Sequence, residues 1–266
     1  MPGLGVLISR FLSFSFAPSH FFANVSIFNL LLHLHRLHHF YMAQLPEELI
    51  LEIFSYTAFS KSHNQYRSRL TALRSASLAC KTFNRLAEPL LYEDIQLHNQ
   101  HDGRCTALLR TLYARPELRG YVRRISVHRS YFQRHWNDFD CLDVEDGVKQ
   151  RIFDLMRPDI WPEGLTNTVA DSIAHGSAEI LISALICLCL SLRSLSLHWA
   201  DFGPIDQSLL GAVLSYGVDD EKYLAGSMPL SRLEHLRLET DTHCDLNGVV
   251  SFLLPASLRS FSHQRR

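Results

Sequence analysis

The sequence predicts an α/β protein in which a small three-helix unit precedes a larger region of alternating strands and helices. Residues 45–92 contain three short segments whose apolar residues recur at three- and four-residue spacing, the period of an amphipathic helix. Beyond them a short pattern of the form apolar-x-x-apolar-x-apolar recurs five times, with helical patterns between the copies. A chain of 266 residues can hold a small domain joined to a larger one.

Residues 1–41 differ in composition from everything that follows. They contain no Asp or Glu and hold seven of the sixteen Phe residues. Pro18, Arg10 and several polar residues interrupt this apolar stretch, so a membrane anchor and a secretory signal both fit poorly. We therefore expect residues 1–41 to be a disordered or non-native extension, with Met42 as the native start. A membrane anchor is the less favoured alternative.

The first helix is predicted to begin at Pro46, because a first-turn residue needs no backbone N–H partner and the fixed φ of proline suits a helix. Glu47 and Glu48 then oppose the positive end of the helix dipole. Five apolar residues share one stripe of this helix: Leu45, Leu49, Ile50, Ile53 and Phe54. Something must cover that stripe.

Two further short helices are predicted within the same unit. The second has a face of mostly small residues, made of Leu70, Leu73, Ala76, Ser77 and Cys80. The third contains Phe83, Leu86 and Leu90 and is predicted to end near Pro89. Three short helices enclose little core, so a unit of this size usually needs a partner or a packed neighbour.

Residues 45–92 resemble an F-box of the fungal type, because two blocks occur in order. The first is Leu45-Pro46 with the Leu-Ile-x-x-Ile-Phe helix that ends at Phe54; the second is the Leu-Ala-Cys-Lys-x-Phe-Asn-x-Leu run from Leu78 to Leu86, and Ala-Glu-Pro-Leu-Leu-Tyr follows. The resemblance implies a substrate receptor of an SCF-type cullin-RING ubiquitin ligase that docks on a Skp-family adaptor. Positions carried over to adaptor binding are Leu45, Pro46, Leu49, Ile50, Ile53, Phe54, Leu78, Cys80 and Phe83. An ordinary core within the chain is the alternative for each.

The strand patterns of the larger region lie at residues 92–97, 122–127, 192–197, 233–238 and, in part, 258–261. Helical patterns are predicted at residues 108–113, 180–190, 209–216 and 249–254. The central strand positions lie 30, 70, 41 and 25 residues apart, so the repeat is irregular. An acidic insertion, most simply a solvated loop, is expected near residues 136–165.

This region resembles a degenerate leucine-rich-repeat array. The resemblance implies an irregular α/β solenoid over residues 93–266 that selects a target protein, preceded by an F-box at residues 42–92. The array looks incomplete, because five residues and no capping unit follow the last strand position. A generic α/β domain with parallel strands is the alternative.

Composition argues against several functional classes. The net charge of -1 provides no global basic field for nucleic acid. Six cysteines without paired spacing favour reduced thiols, and hence the cytosol or nucleus. We find no phosphate-binding loop, nucleophile elbow or zinc motif, so neither catalysis nor a cofactor is expected. The alternatives are an adaptor-binding scaffold that acts outside a cullin ligase and an enzyme in which the three helices serve only as packing.

Four arginines, Arg123, Arg124, Arg193 and Arg237, fall at predicted outward strand positions. Guanidinium groups there have the geometry to pair with phosphate, although solvated arginines on a repeat surface are the commoner case.

Overall fold

The computed structural model describes residues 46–58, 63–97, 104–128, 146–155, 178–198, 213, 230–240 and 258–265. The chain divides between Leu91 and Tyr92 into two compact units. The predicted N-terminal extension, the acidic residues 138–145 and the helix at 249–254 lie outside the described residues. Of the helix predicted at 209–216, only Val213 is described, and it is helical.

Within residues 46–58 and 63–97, which include the described part of the first unit, lie three helices: α1 (Glu47–Ala58), α2 (His63–Ser77) and α3 (Lys81–Glu93). Helix α1 begins at Glu47, one residue after the predicted start. Pro46 flanks the helix instead, because its carbonyl accepts the N–H groups of Leu49 and Ile50 at 3.1 and 3.3 Å. Cys80 does not extend α2, which ends at Ser77. Instead the Cys80 carbonyl accepts the Asn84 N–H at 2.9 Å, so Cys80 stands at the start of α3.

The prediction that the third helix ends near Pro89 is wrong, because α3 continues through the proline to Glu93. A proline inside a helix removes one N–H and crowds the carbonyl four residues earlier. The helix persists because its apolar face is held on both sides of Pro89: Leu86 and Ala87 are buried, and Leu90 and Leu91 pack against the same core.

Seven side chains from all three helices form the core of the first unit: Ile50, Phe54, Leu73, Ala76, Phe83, Leu86 and Ala87. Phe54 of α1 meets Phe83 of α3 edge to face, with ring centroids 5.7 Å apart and an interplanar angle of 85°. Aromatic pairs favour this arrangement because the positive ring edge faces the negative ring plane. The contact joins the first helix to the third.

The second unit contains a five-stranded parallel sheet whose strands lie side by side in chain order. Its strands are β1 (Asp94–Leu97), β2 (Arg124–Val127), β3 (Ser194–His198), β4 (His235–Thr240) and β5 (Ser260–Arg265). Its helices are α4 (Arg104–Ala114), α5 (Asp146–Leu155), α6 (Ala178–Leu188) and a 3₁₀ helix (Pro116–Tyr121). Mixed helices and parallel strands confirm the α/β class; the leucine-rich-repeat solenoid stays a prediction.

The five predicted central strand positions form one row across the sheet: Ile95, Ile125, Leu195, Leu236 and Phe261. Each strand nevertheless begins two residues later than the start of its sequence pattern. The reason is that the first apolar residue of each pattern precedes the strand and is used for packing. Val122, Leu192 and Leu233 are buried in the core at that position.

The backbone repeats one hydrogen-bonding arrangement at the start of β3, β4 and β5. The Arg123 carbonyl accepts the N–H groups of both Arg193 and Ser194, at 2.8 and 3.0 Å. The Arg193 carbonyl accepts two successive N–H groups from residues 234 and 235, and the Glu234 carbonyl does so from residues 259 and 260. In each copy, the two residues between the first and second apolar positions of the pattern use their backbone N–H groups in this way, and their side chains stay outside the core.

One side of the sheet is buried under the helices. Alternate strand residues form this inner side, including Leu97, Val127, Leu197 and Leu238. Helix α6 is apolar except for Glu179 and the buried Ser183, and its residues are buried from Ile180 onward because α4 and α5 also pack against it. Among the described residues, no helix is long and apolar enough to cross a membrane.

Candidate functional site

The predicted adaptor-binding residues separate into three groups by exposure. Ile50, Phe54 and Phe83 are buried in the core of the first unit. Leu49 and Ile53 are half-buried, and Ile53 packs against that core. The exposed group consists of Pro46, Leu78 and Cys80. Leu45 lies outside the described residues, and whether any of these residues binds an adaptor stays a prediction.

Leu78 is the most exposed large apolar residue of the described chain, with 80% of its surface open to solvent. It lies in the turn between α2 and α3, where its N–H donates to the Arg74 carbonyl at 3.2 Å. The next N–H, from Ala79, donates to the Ala76 carbonyl at 3.0 Å. These bonds fix the backbone of the turn, and the Leu78 side chain projects from it into solvent.

Leu51 is a second exposed leucine, on α1, that the sequence pattern did not select. It lies between Ile50, which is buried, and Ile53, which is half-buried. A helical stripe defined by three- and four-residue spacing from Leu49 passes beside position 51. The sequence nevertheless contains an indication that Leu51 is exposed, because it is an apolar residue on the side of α1 where a polar residue is expected.

The start of α3 is held by the residues around the exposed turn. The Phe83 N–H donates to Cys80 Sγ at 3.5 Å, a weak bond that satisfies one of the free amides of the first helical turn. Glu47 in the first turn of α1 pairs with Arg85 of α3, and both side chains are largely exposed. A pair so exposed contributes at most about 1 kcal/mol. It aligns the helices more than it stabilises them.

The sheet of the second unit has a polar outer side, called here the outer sheet face. Its strand residues are Asp94, Gln96, Arg124, Ser126, Ser194, Ser196, His235, Arg237, Ser260 and Ser262. His235 Nδ1 and Ser260 Oγ lie 2.7 Å apart within it. All four predicted outward arginines are partly or fully exposed, but Arg123 and Arg193 precede β2 and β3 and so do not lie on the strands as predicted. Arg124, Arg193 and Arg237 each pair with a carboxylate.

The ionisable side chains Cys187, Cys189 and Tyr113 pack within or against the core of the second unit. Burial raises the pKa of Cys187 and of Cys189 to about 12, so neither thiol forms a nucleophilic thiolate near neutral pH. Burial also raises the pKa of Tyr113 to about 12, against the opposing effect of the Arg119 and Arg151 guanidinium groups. In the part of the chain that the structure describes, no three His, Cys, Asp or Glu side chains are grouped to hold a metal ion.

Residues 42–98 match the F-box-like family model. No curated protein and no solved structure matches the chain. The matched segment contains the three helices, strand β1 and every predicted adaptor-binding residue. An F-box domain implies binding to a Skp-family adaptor. The chain thus carries an F-box-like domain at residues 42–98, which supports its assignment as an F-box protein.

Proposed function

We propose that this protein is the substrate-recognition subunit of an SCF-type cullin-RING ubiquitin ligase. The F-box at residues 42–92 binds the Skp-family adaptor, and residues 93–266 bind the target protein. Cullin and RING subunits join through the adaptor, and catalysis resides in the RING subunit with its conjugating enzyme. This chain contributes proximity, which requires neither a catalytic residue nor a cofactor.

The observation that carries the proposal is the F-box-like match over a helical unit that leaves an ordered leucine in solvent. Single exposed apolar residues are common on protein surfaces and need no partner to explain them. Leu78, however, lies within the block of sequence that defines the resemblance. Its exposure therefore supports a role in docking rather than in the core of the unit.

The exposure pattern refines which residues we propose to contact the adaptor. Pro46, Leu49, Ile53, Leu78 and Cys80 are at least partly accessible, and Leu51 joins them. The three buried members of the predicted set support this surface from beneath, because they hold α1 and α3 together. Each leucine buried on docking contributes about 1.5–3 kcal/mol before the costs of association are subtracted.

We also propose that the sheet of the second unit belongs to an irregular leucine-rich-repeat-like array. The in-register central positions and the repeated start of β3, β4 and β5 support this proposal. We place the protein in the cytosol or nucleus. Cys80, Cys187 and Cys189 are free thiols, as expected of a reducing compartment.

Leu78→Asp tests adaptor binding. We expect it to lower capture of a purified Skp-family adaptor by the full chain at least tenfold, because a carboxylate cannot be buried unpaired at an apolar interface. Since Leu78 is exposed, the three helices should stay folded, with an unchanged circular dichroism spectrum and melting temperature. Leu51→Asp is a second variant on the same surface.

Arg67→Asp is the control, because Arg67 is exposed on α2 eleven residues before Leu78, about 16 Å along a helix. It should leave adaptor capture unchanged. Retained capture by both leucine variants would contradict the docking surface. The wild-type chain should also recover cullin from cell extract; adaptor without cullin would favour the scaffold alternative.

A further inference from the structure

The outermost strand β5 carries an apolar residue that is open on the inner side of the sheet. Phe261 ends the row of inward-facing central positions, of which the other four members are at most 7% exposed. Phe261 itself is 39% exposed. Leu258, at the first apolar position of the same pattern, is half-buried, whereas its counterparts Val122, Leu192 and Leu233 are buried. The apolar inner side of the sheet therefore continues beyond β4 without the cover found over the other strands.

The backbone of β5 is also open on the side away from β4. The Ser260 N–H donates to the Glu234 carbonyl at 3.0 Å, so the Ser260 amide faces β4. In a parallel ladder, successive residues direct their N–H and carbonyl groups to opposite edges of the strand, so the amides of Phe261 and His263 face away from β4. Among the described strands, none pairs with this edge of β5. An unpaired edge is a template for another strand.

The chain itself shows what covers such an edge. The Arg193 carbonyl accepts the two successive N–H groups that begin β4, and the Glu234 carbonyl accepts the two that begin β5. Arg259 precedes β5 in the same way, so its carbonyl is the next acceptor in this series. All four strand pairs are parallel and in register. The occupant that continues the arrangement is a further parallel strand.

The side chains of that occupant follow from their neighbours on β5, about 4.8 Å away. An inward residue lies beside Phe261, where an apolar and preferably β-branched side chain packs best. Outward residues lie beside Ser260 and Ser262, both exposed, and extend the polar outer sheet face. We propose that β5 binds an extended segment of the target protein, with alternating apolar and polar residues, as an added parallel strand. The inference rests on the proposed function in naming the target as the source of the segment.

A second copy of this chain matches the open edge less well. Most homo-oligomers have two-fold symmetry, in which the same patch of both subunits meets. Two β5 edges that pair about a two-fold axis run antiparallel. An antiparallel strand does not bring two successive N–H groups to the Arg259 carbonyl as β4 and β5 do at their own starts. A segment of a separate protein can approach in the parallel direction without this restriction.

The test is fluorescence anisotropy on the full chain with a labelled peptide of about ten residues, in which Ile alternates with Ser between terminal lysines. We expect it to bind at least about tenfold more tightly than a peptide of the same composition whose isoleucines follow helical spacing. In a parallel added strand, the outward residues direct their N–H groups toward β5. N-methylation of the serines should therefore abolish binding, whereas N-methylation of the isoleucines should preserve it.

Two substitutions on β5 test its side chain and its edge separately. Phe261→Ser removes the apolar neighbour and should lower peptide affinity about tenfold. His263→Pro removes one N–H from the open edge and should lower the affinity by a similar factor, whereas His263→Ala retains that N–H and should bind as the wild type does. Unchanged urea midpoints would show that these variants keep the sheet folded.

Tyr121→Ser is the matched control, because Tyr121 is an aromatic residue with 38% exposure that lies in the 3₁₀ helix, outside the sheet. It should leave peptide affinity unchanged. Equal binding of the alternating and helically spaced peptides, or equal losses in the Phe261 and Tyr121 variants, overturns the inference. Loss of binding on methylation of the isoleucines alone would indicate an antiparallel strand and also overturns it. So does self-association of the chain that Phe261→Ser abolishes, if the peptide does not bind.

Adaptor capture, measured on the same proteins, separates the two proposals. The β5 variants should capture adaptor as well as the wild type does. Selective binding of the alternating peptide without adaptor capture supports strand addition and overturns the ligase role. Adaptor capture without peptide binding overturns the inference alone.

Discussion

At the scale of single residues, Arg69 is the most unusual side chain of the first unit. It is only 2% exposed, and its Nη2 donates to the Leu90 carbonyl at 2.8 Å. That carbonyl belongs to the last turn of α3, where backbone acceptors have no partner within the helix and the helix dipole is negative. Arg69 thus caps α3 from α2.

Arg69→Met tests this cap. Loss of a hydrogen bond from a charged donor costs about 1.5–3 kcal/mol, but removing a buried charge recovers part of that cost. We therefore expect the free energy of unfolding of the first unit to fall by about 1 kcal/mol, measured by urea titration. Arg67→Met, on the exposed side of the same helix, should have no measurable effect. Equal stability of the two variants would contradict the capping role.

Sequence alone could predict which residues of the first unit are apolar and periodic, but not which of them face solvent. Ile50 and Leu78 were selected for the same surface, yet one is buried and the other exposed. Their difference arises from the turn after α2, whose backbone bonds determine where Leu78 points. Arg69 was missed for a related reason. Nothing in a linear pattern distinguishes a buried arginine on a helix from its exposed neighbours.

At the scale of elements, α3 shows how packing overrides a local signal. The sequence predicts that α3 ends near Pro89, because a proline inside a helix removes one N–H and crowds the carbonyl four residues earlier. The apolar residues on both sides of Pro89 are held by the core, so burial exceeds the local penalty. Helix α6 is the opposite case. Its almost wholly apolar sequence predicts a buried helix at 180–190, and this pattern corresponds to Ala178–Leu188.

Pro89→Ala should stabilise α3, because alanine restores the N–H that can donate to the Arg85 carbonyl and removes the clash of the ring. Proline costs about 3 kcal/mol inside an unconstrained helix, but Pro89 is half-buried and contributes some packing. We expect a net gain of about 1 kcal/mol, seen as a higher urea midpoint. Asn84→Ala, at an exposed α3 position, should gain only a few tenths. A lower midpoint for Pro89→Ala would show that its ring packing dominates.

At the scale of the whole molecule, the sequence predicts which residues pair across the sheet more accurately than it predicts where each strand begins. Ile95, Ile125, Leu195 and Leu236 were chosen as equivalent positions from their spacing to neighbouring leucines, and they pair directly across four strands. The pattern succeeds because the period of a strand is strict, and a shift of one residue would expose the whole apolar row. The strand starts were misplaced because the first apolar residue of each pattern packs into the core before pairing begins.

The stability of the second unit should depend on pH in the alkaline range. Burial raises the pKa values of Cys187, Cys189 and Tyr113 to about 12 in the folded protein, above the ordinary values of 9.0 for a thiol and 10.0 for a tyrosine. Burial disfavours their ionised forms, so they bind protons more tightly when folded. Their contribution is complete below about pH 9 and is lost as the pH rises toward 12, because the unfolded chain ionises first.

We therefore expect the urea midpoint of the second unit to be steady from about pH 7 to 8.5 and to fall steeply above about pH 9. Cys187→Ala with Cys189→Ala should be less stable at neutral pH, because it leaves small cavities, yet its midpoint should fall less steeply with pH. The slope is thus the informative quantity, since cavity formation alone does not alter it. A wild-type midpoint that stays constant to pH 10.5, or parallel curves for the two proteins, would show that the thiols are not buried as neutral groups in the sheet's helical cover.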